Sequence, residues 1–171
     1  MTFIVKADEG DFQLLADIGK RSYIESHGSS AAAQDINMYV AEKYNNEEVK
    51  KELADHENIY HIISYDKKPA GYSKIIFDSP YSNIQFKDVT KLERLYLLKE
   101  FYSLKLGFEL LEFNIELSKQ NNQSGMWLFV WKENHRAVNF YKKYGFEIIG
   151  SYDFPITEAH SNPNHQMLLK Y

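Results

Sequence analysis

Hydrophobic positions change period several times along the chain, and each change marks an element. Trp127 to Trp131 is an unbroken run of large apolar residues, too short for a lone helix and rich in aromatic and branched types, which predicts a buried strand. Asn134 then serves as a helix cap, Ala137, Val138, Tyr141 and Tyr144 recur at helical spacing, and Gly145 supplies the left-handed stop. Strand, tight turn and helix follow in direct succession, and ligands of α/β proteins gather at the carboxyl edge of such units.

The remaining elements follow from the same reading. Phe3 to Lys6 predicts a first strand, and Asp8 caps a helix carrying Phe12, Leu15, Ile18 and Tyr23 that ends near Ser26-His27-Gly28. Gly28 to Ala33 reads as a loop, Gln34 to Tyr44 as a helix with Ile36, Tyr39 and Val40 on one face, and Asn46 as the cap of a short helix carrying Val49 and Leu53. Ile59 to Tyr65 and Ala70 to Phe77 predict a hairpin across the turn Asp66-Lys67-Lys68-Pro69, and Asp78 to Gln85 a surface loop. Val89 to Leu98 is a long strand, with Glu93, Leu95 and Leu97 expected on one face and Leu92, Arg94, Tyr96 and Leu98 on the other. A turn at Lys99 to Ser103 leads to a broadly apolar helix from about Leu104 to Lys119, which must pack on a sheet. Two strands close the chain, one from Phe146 towards Phe154 and one through Gln166 to Leu169, with a pause at Ser161 to Asn164.

Composition narrows the class. A length of 171 residues fits one domain spanning 1–171, with an ordinary globular balance of 44% hydrophobic and 26% charged residues. No stretch approaches the roughly 20 apolar residues of a membrane span. The N-terminus lacks a signal-peptide core, which predicts a cytoplasmic location. Without cysteine there is no disulfide, thiolate metal site or cysteine nucleophile. The net charge of -4, with no basic block, gives no footprint for nucleic acid. His27, His56, His61, His135, His160 and His165 show no metal-ligand spacing, so no metal is expected.

Two stretches carry chemistry. Leu92 to Phe108 reads as strand, loop and helix start, and a helix start offers unpaired amides and a positive dipole end to a phosphate, with Lys105 adding a charge. The second stretch is the unit from Trp127 to Phe146. Together they resemble the signatures of the GNAT superfamily of N-acetyltransferases, whose N-x-x-A-x-x-F-Y-x-x-x-G-F segment is matched by Asn134, Ala137, Phe140, Tyr141, Gly145 and Phe146. The family's phosphate loop usually reads Q-x-x-G-x-G, and here those positions hold Tyr102, Lys105 and Gly107, so only the last is kept. The segments L-E-R-L-Y-L, W-L-F-V-W-K-E-N and F-Y-K-K-Y-G-F together look most similar to a bacterial branch that includes spermidine and spermine acetyltransferases.

The resemblance implies an α/β (α+β) fold with a mixed, mostly antiparallel seven-stranded sheet, splayed between its fourth and fifth strands, with helices on both faces. It implies acetyl transfer from acetyl-CoA to a primary amine, with a polyamine as the narrower expectation, and needs no metal. Coenzyme A is expected along Leu95, Tyr96 and Leu97, along Tyr102, Ser103, Leu104, Lys105, Leu106, Gly107 and Phe108, and at Asn134 and Tyr141. A tyrosine near pKa 10 can return a proton to a thiolate near 8.5, which makes Tyr141 the candidate acid. Glu93 is the carboxylate placed to take the amine's proton, directly or through water, and Tyr23, Glu25 and His27 fall where the family builds its acceptor pocket. Strand pairing or swapping at the carboxyl end, common in the superfamily, would give a homodimer. A second reading keeps the fold without the reaction, as an acyl-CoA sensor or interaction domain.

Overall fold

The computed structural model describes residues 1–171. Seven strands form one sheet: β1 (Thr2–Lys6), β2 (Ile59–Tyr65), β3 (Lys68–Ile76), β4 (Thr90–Leu97), β5 (Gly125–Trp131), β6 (Glu147–Thr157) and β7 (His160–Lys170). Their spatial order is β1-β2-β3-β4-β5-β7-β6. Every neighbouring pair is antiparallel except β4 and β5. Five helices accompany them: α1 (Phe12–His27), α2 (Ala33–Lys43), α3 (Asn46–Ala54), α4 (Leu106–Gln120) and α5 (His135–Tyr144). The mixed, mostly antiparallel sheet expected from the sequence is present.

Strand alternation sends neighbouring side chains to opposite helical layers. Ser73 accepts a hydrogen bond from Asn114 of α4 at 2.9 Å, while the next residue, Lys74, reaches Glu52 of α3 at 3.0 Å. Leu111 and Ile115 of α4 share a core with Val138 and Tyr141 of α5 beneath Ile75 and Leu128, so α4 and α5 cover one face. The other face holds α1, α2 and α3, packed through Ile18, Tyr23, Ile36 and Val49. No helix is long and apolar enough to cross a membrane.

Several local expectations are corrected. Asp8 caps a 3-10 turn at Glu9–Asp11 that precedes α1, accepting from the Gly10 amide at 2.8 Å. Asn45, rather than Asn46, caps α3, with its side chain accepting from the Glu48 amide at 2.9 Å. The first hairpin turns on Asp66 and Lys67 alone, both at positive φ (47° and 66°), because a two-residue loop with that geometry matches strand twist. Pro69 therefore lies inside β3. The expected pause at Ser161 to Asn164 is strand: Pro163 belongs to β7, where its carbonyl accepts from the Lys132 amide, and its missing N–H faces only the end of β5.

Candidate active site

The parallel pair β4 and β5 is joined at only two positions, Thr90 with Met126 and Lys91 with Trp127. Beyond them β4 stays with β3 and β5 with β7, so the strands part and leave a gap. A bulge accompanies the parting: Arg94 opposes Lys74 and Leu92 opposes Ile75, which leaves Glu93 as the extra residue of β4. Bulges bend the strand that carries them and increase its twist. The same bulge breaks the expected alternation. Leu92 joins Leu111 and Ile115 on the α4 face, whereas Glu93 and Arg94 both turn towards α1, α2 and α3.

The gap opens into a cavity of about 570 Å³. Its floor is backbone from β4. The Leu98 amide donates to the Ala70 carbonyl at 2.9 Å, so along the pleat the amides of Leu97 and Leu95 face the gap. The Tyr96 amide turns towards β3, although Tyr96 itself still lines the cavity. Gly71 of β3 lies against this lip so tightly that an added Cβ would stand 2.2 Å from the Tyr96 carbonyl oxygen.

Tyr141 of α5 lines the cavity, with its ring packed edge-on between Phe140 at 5.2 Å and Phe146 at 5.4 Å. Burial alone pushes its phenol above the ordinary tyrosine value, so the group is protonated throughout the working pH range. The helix that carries it is fixed at both ends. Asn134, also on the wall, accepts from the Ala137 amide at 3.2 Å, and Gly145 (φ 108°) closes the last turn while the Phe146 amide reaches the Tyr141 carbonyl at 3.0 Å.

At the mouth stand Tyr102, Gly107 and Arg136. The loop before α4 differs from expectation: Lys99–Leu104 is 3-10, and Lys105 is left-handed (φ 61°) before α4 starts at Leu106. A lysine thus occupies a conformation that glycine adopts freely. Its carbonyl accepts from the Phe108 and Glu109 amides at 3.0 and 3.2 Å, so the Phe108 amide is already engaged. Leu106 and Gly107 supply the first-turn amides without an intrahelical partner. The side chain of Leu106 is fully buried in the core. Ser103, Leu104, Lys105 and Phe108 do not line the cavity. Arg136, which the motif reading passed over, stacks its guanidinium 3.4 Å from the Tyr102 ring centroid and brings a cation to this mouth.

Another part of the wall is aromatic and ionic. His27 stacks flat on Tyr23 (4.6 Å, 7°), and Tyr39, Tyr44, Tyr96 and Phe154 complete the wall. The His27 ring, with Nδ1 2.7 Å from the Ser26 hydroxyl, is pushed down to about 4 by burial and is neutral near pH 7. Glu25 is absent from this wall: it pairs with Arg21 at 3.2 Å and accepts from the Lys99 amide at 2.7 Å, tying α1 to the 3-10 turn. Tyr23 and His27 are brought to the site and Glu25 is not.

Across the wall runs a chain of charges that the sequence did not announce. Lys91 meets Glu93 at 3.3 Å, Glu93 meets Lys74, Lys74 meets Glu52 at 3.0 Å, and Glu52 meets Arg94 at 3.2 Å. Tyr60 also donates to Glu52, and Arg94 donates to the Tyr60 oxygen at 2.8 Å. Burial would raise the Glu93 carboxyl, but Lys74, Lys91 and Arg94 outweigh it and hold the group at about 2. A carboxylate so stabilised is a weak proton acceptor.

The parting of the sheet between β4 and β5 is the one that the resemblance implied. The sequence model of the Acetyltransferase (GNAT) family matches residues 23–146. The chain belongs to this family. It is 28% identical over 142 residues to an uncharacterized N-acetyltransferase in the pepI 3′ region of Lactobacillus delbrueckii subsp. lactis, covering 83% of this chain and 82% of that protein. In fold it is similar to the PaiA N-acetyltransferase of Thermoplasma acidophilum, solved in complex with coenzyme A (TM-score 0.80, 21% identity, 100% and 99% of the chains covered). It is also similar to the ribosomal-protein-S18-alanine N-acetyltransferase of Escherichia coli (TM-score 0.72, 15% identity, 99% and 94% covered). This GNAT enzyme has the mixed, mostly antiparallel seven-stranded sheet that the resemblance implied, and it carries a lysine at 105.

Proposed function

We propose that the protein transfers acetyl from acetyl-CoA to a primary amine by direct attack. The observation that carries the reading is the gap between β4 and β5, flanked by the free amides of Leu95 and Leu97 and by the Tyr141 phenol. Pantetheine in the gap would hydrogen-bond to β4 as a missing strand would. The pyrophosphate would meet the Leu106 and Gly107 amides at the start of α4, with Arg136 beside it. A coenzyme-A complex in the Thermoplasma relative of the same fold supports this assignment.

In the reaction the neutral amine attacks the thioester carbon, a β4 amide stabilises the oxyanion, and the carbon–sulfur bond breaks. The sulfur gains a proton from Tyr141, and the nitrogen loses one to water. Glu93, ionised and paired, orders the wall that faces the amine rather than carrying the proton.

A polyamine is the narrower acceptor. The aromatic wall supports it through cation-π contacts, but Glu52 and Glu93 are already neutralised by Lys74, Lys91 and Arg94, so the proposal stays with a primary amine. Calorimetry with acetyl-CoA, beside a free-thiol release assay over a panel of primary amines, tests the reading. Binding with saturable, amine-dependent release is expected. Binding without release from any amine would favour a sensor, and absence of binding would remove both roles.

A further inference from the structure

Resting on the acyl-transfer reading, we propose that His27 is the group that first takes the proton leaving the amine: its Nε2 accepts an N–H of the bound acceptor and passes the proton on to water.

The tautomer follows from the Ser26 hydroxyl beside the ring. Ser26 Oγ lies 2.8 Å from the Ser22 carbonyl oxygen and 3.2 Å from that of Tyr23, and carbonyls only accept, so the one hydroxyl proton is committed to them. The 2.7 Å contact between Ser26 Oγ and His27 Nδ1 then requires Nδ1 to donate. In a neutral imidazole a proton on one nitrogen leaves a lone pair on the other. Nε2 is therefore an acceptor on the cavity wall, and Ser26 is the only hydrogen-bond partner the ring has in the protein.

The ring also stands where the strands part. It stacks on Tyr23 and touches both Tyr96 of β4 (ring centroids 5.9 Å apart) and Trp131 of β5 (5.8 Å). One imidazole thus spans the gap on the α1 face, while Tyr141 belongs to the layer on the other face. A thioester in the gap would have the proton donor on one side and the proton acceptor on the other. Glu52 and Glu93 are occupied by Lys74, Lys91 and Arg94, which leaves Glu48 as the competing acceptor on the wall.

As nitrogen bonds to the thioester carbon it becomes cationic, and its N–H bond breaks while Nε2–H forms. The imidazolium keeps Nδ1–H on Ser26, releases the Nε2 proton to water and returns to its starting tautomer. A ring pushed down to about 4 does not hold that proton.

Two variants separate the roles. His27→Phe keeps a stacking ring without nitrogens, whereas His27→Gln offers an amide oxygen that accepts an N–H and cannot carry a proton. In thiol release over the amine panel, His27→Phe should lower kcat by about 100-fold, the lower end for general base catalysis with so weak a base, and raise KM for the amine about threefold or more. His27→Gln should recover KM and leave kcat low, a split that a packing role would not produce. Calorimetric affinity for acetyl-CoA should match the parent in both. A kcat near the parent's in either variant would overturn the proposal, and so would a loss in Glu48→Gln with none in His27→Phe, which would give the proton to that carboxylate. Nitrogen-15 spectra of histidine-labelled protein, with His27 assigned from the signals missing in His27→Gln, read the tautomer without turnover; a proton on Nε2 of the neutral ring refutes the relay whatever the activity. An active parent indifferent to changes at 27 sinks the relay alone, whereas a parent that turns over no amine sinks acyl transfer and the relay together.

Discussion

Replacing Tyr141 with phenylalanine removes one oxygen from the cavity wall and little else. The ring stays wedged between Phe140 and Phe146, and burial is the only influence on the hydroxyl, with no hydrogen bond to the protein contributing. Deleting a desolvated hydroxyl that lacks a partner is neutral or slightly stabilising, so the melting temperature should hold. The rate should not. General acid catalysis contributes roughly 10²–10⁴-fold. Because burial lifts this phenol further above a thiol near 8.5, proton transfer to sulfur runs uphill, which places the effect near the lower end. Tyr141→Phe should therefore lower kcat by about 100-fold, or about 2.7 kcal/mol of barrier. KM for acetyl-CoA should stay within about twofold, because the β4 amides and the mouth hold the coenzyme. Steady-state thiol release at saturating amine, beside a thermal melt, measures both. A kcat within threefold of the parent would refute Tyr141 as the acid, and a parallel loss of kcat and melting temperature would reassign it to packing.

Gly71→Ala should destabilise the fold by about 2 kcal/mol or more, since its Cβ would meet the Tyr96 carbonyl oxygen at 2.2 Å and β4 would have to move; an unchanged urea midpoint would contradict the tight approach. Lys105→Gly exchanges a left-handed lysine for a residue that adopts φ 61° without strain, and the gain of about 1 kcal/mol is offset by the freer unfolded chain, so stability should change by less than about 1 kcal/mol while loss of the charge weakens coenzyme A binding. Calorimetric affinity that is unchanged or tighter would count against Lys105 as a phosphate partner. The Glu93 carboxyl, lowered from about 4.5 to about 2, contributes stability that is full above pH 4.5 and lost as pH falls towards 2. The shift bounds that contribution at about 3 kcal/mol, with solvent screening bringing it lower. His27, lowered to about 4, adds a separate loss between pH 6.5 and 4, because there the unfolded chain binds the proton that the folded one refuses. Melting temperature against pH should therefore flatten over that upper window in His27→Asn, and identical slopes would remove His27 from the account.

Local patterning in the chain determined most of the fold. The apolar run at Trp127 to Trp131, the Asn134 cap and the Gly145 stop define their elements through neighbours a few residues away, so β5 and α5 were legible, as was the motif that places Tyr141. Element order was equally readable, because each helix or strand announces its own period.

What the sequence alone left open depends on partners distant along the chain. The bulge at Glu93 arises from the register of β4 against β3, and one extra residue turns Glu93 and Arg94 to the same side, which strict alternation forbids. Glu93 is held by Lys91 on its own strand and by Lys74 on β3, and Lys74 is shared with Glu52 of α3, so the depth of its ionisation was not visible in the residues around it alone. Glu25 was misplaced for the same reason, since its partner lies 74 residues away at Lys99. Secondary structure is written in short-range spacing, whereas charge pairing, the parting of β4 from β5 and the shape of the acceptor end are set only when remote segments meet.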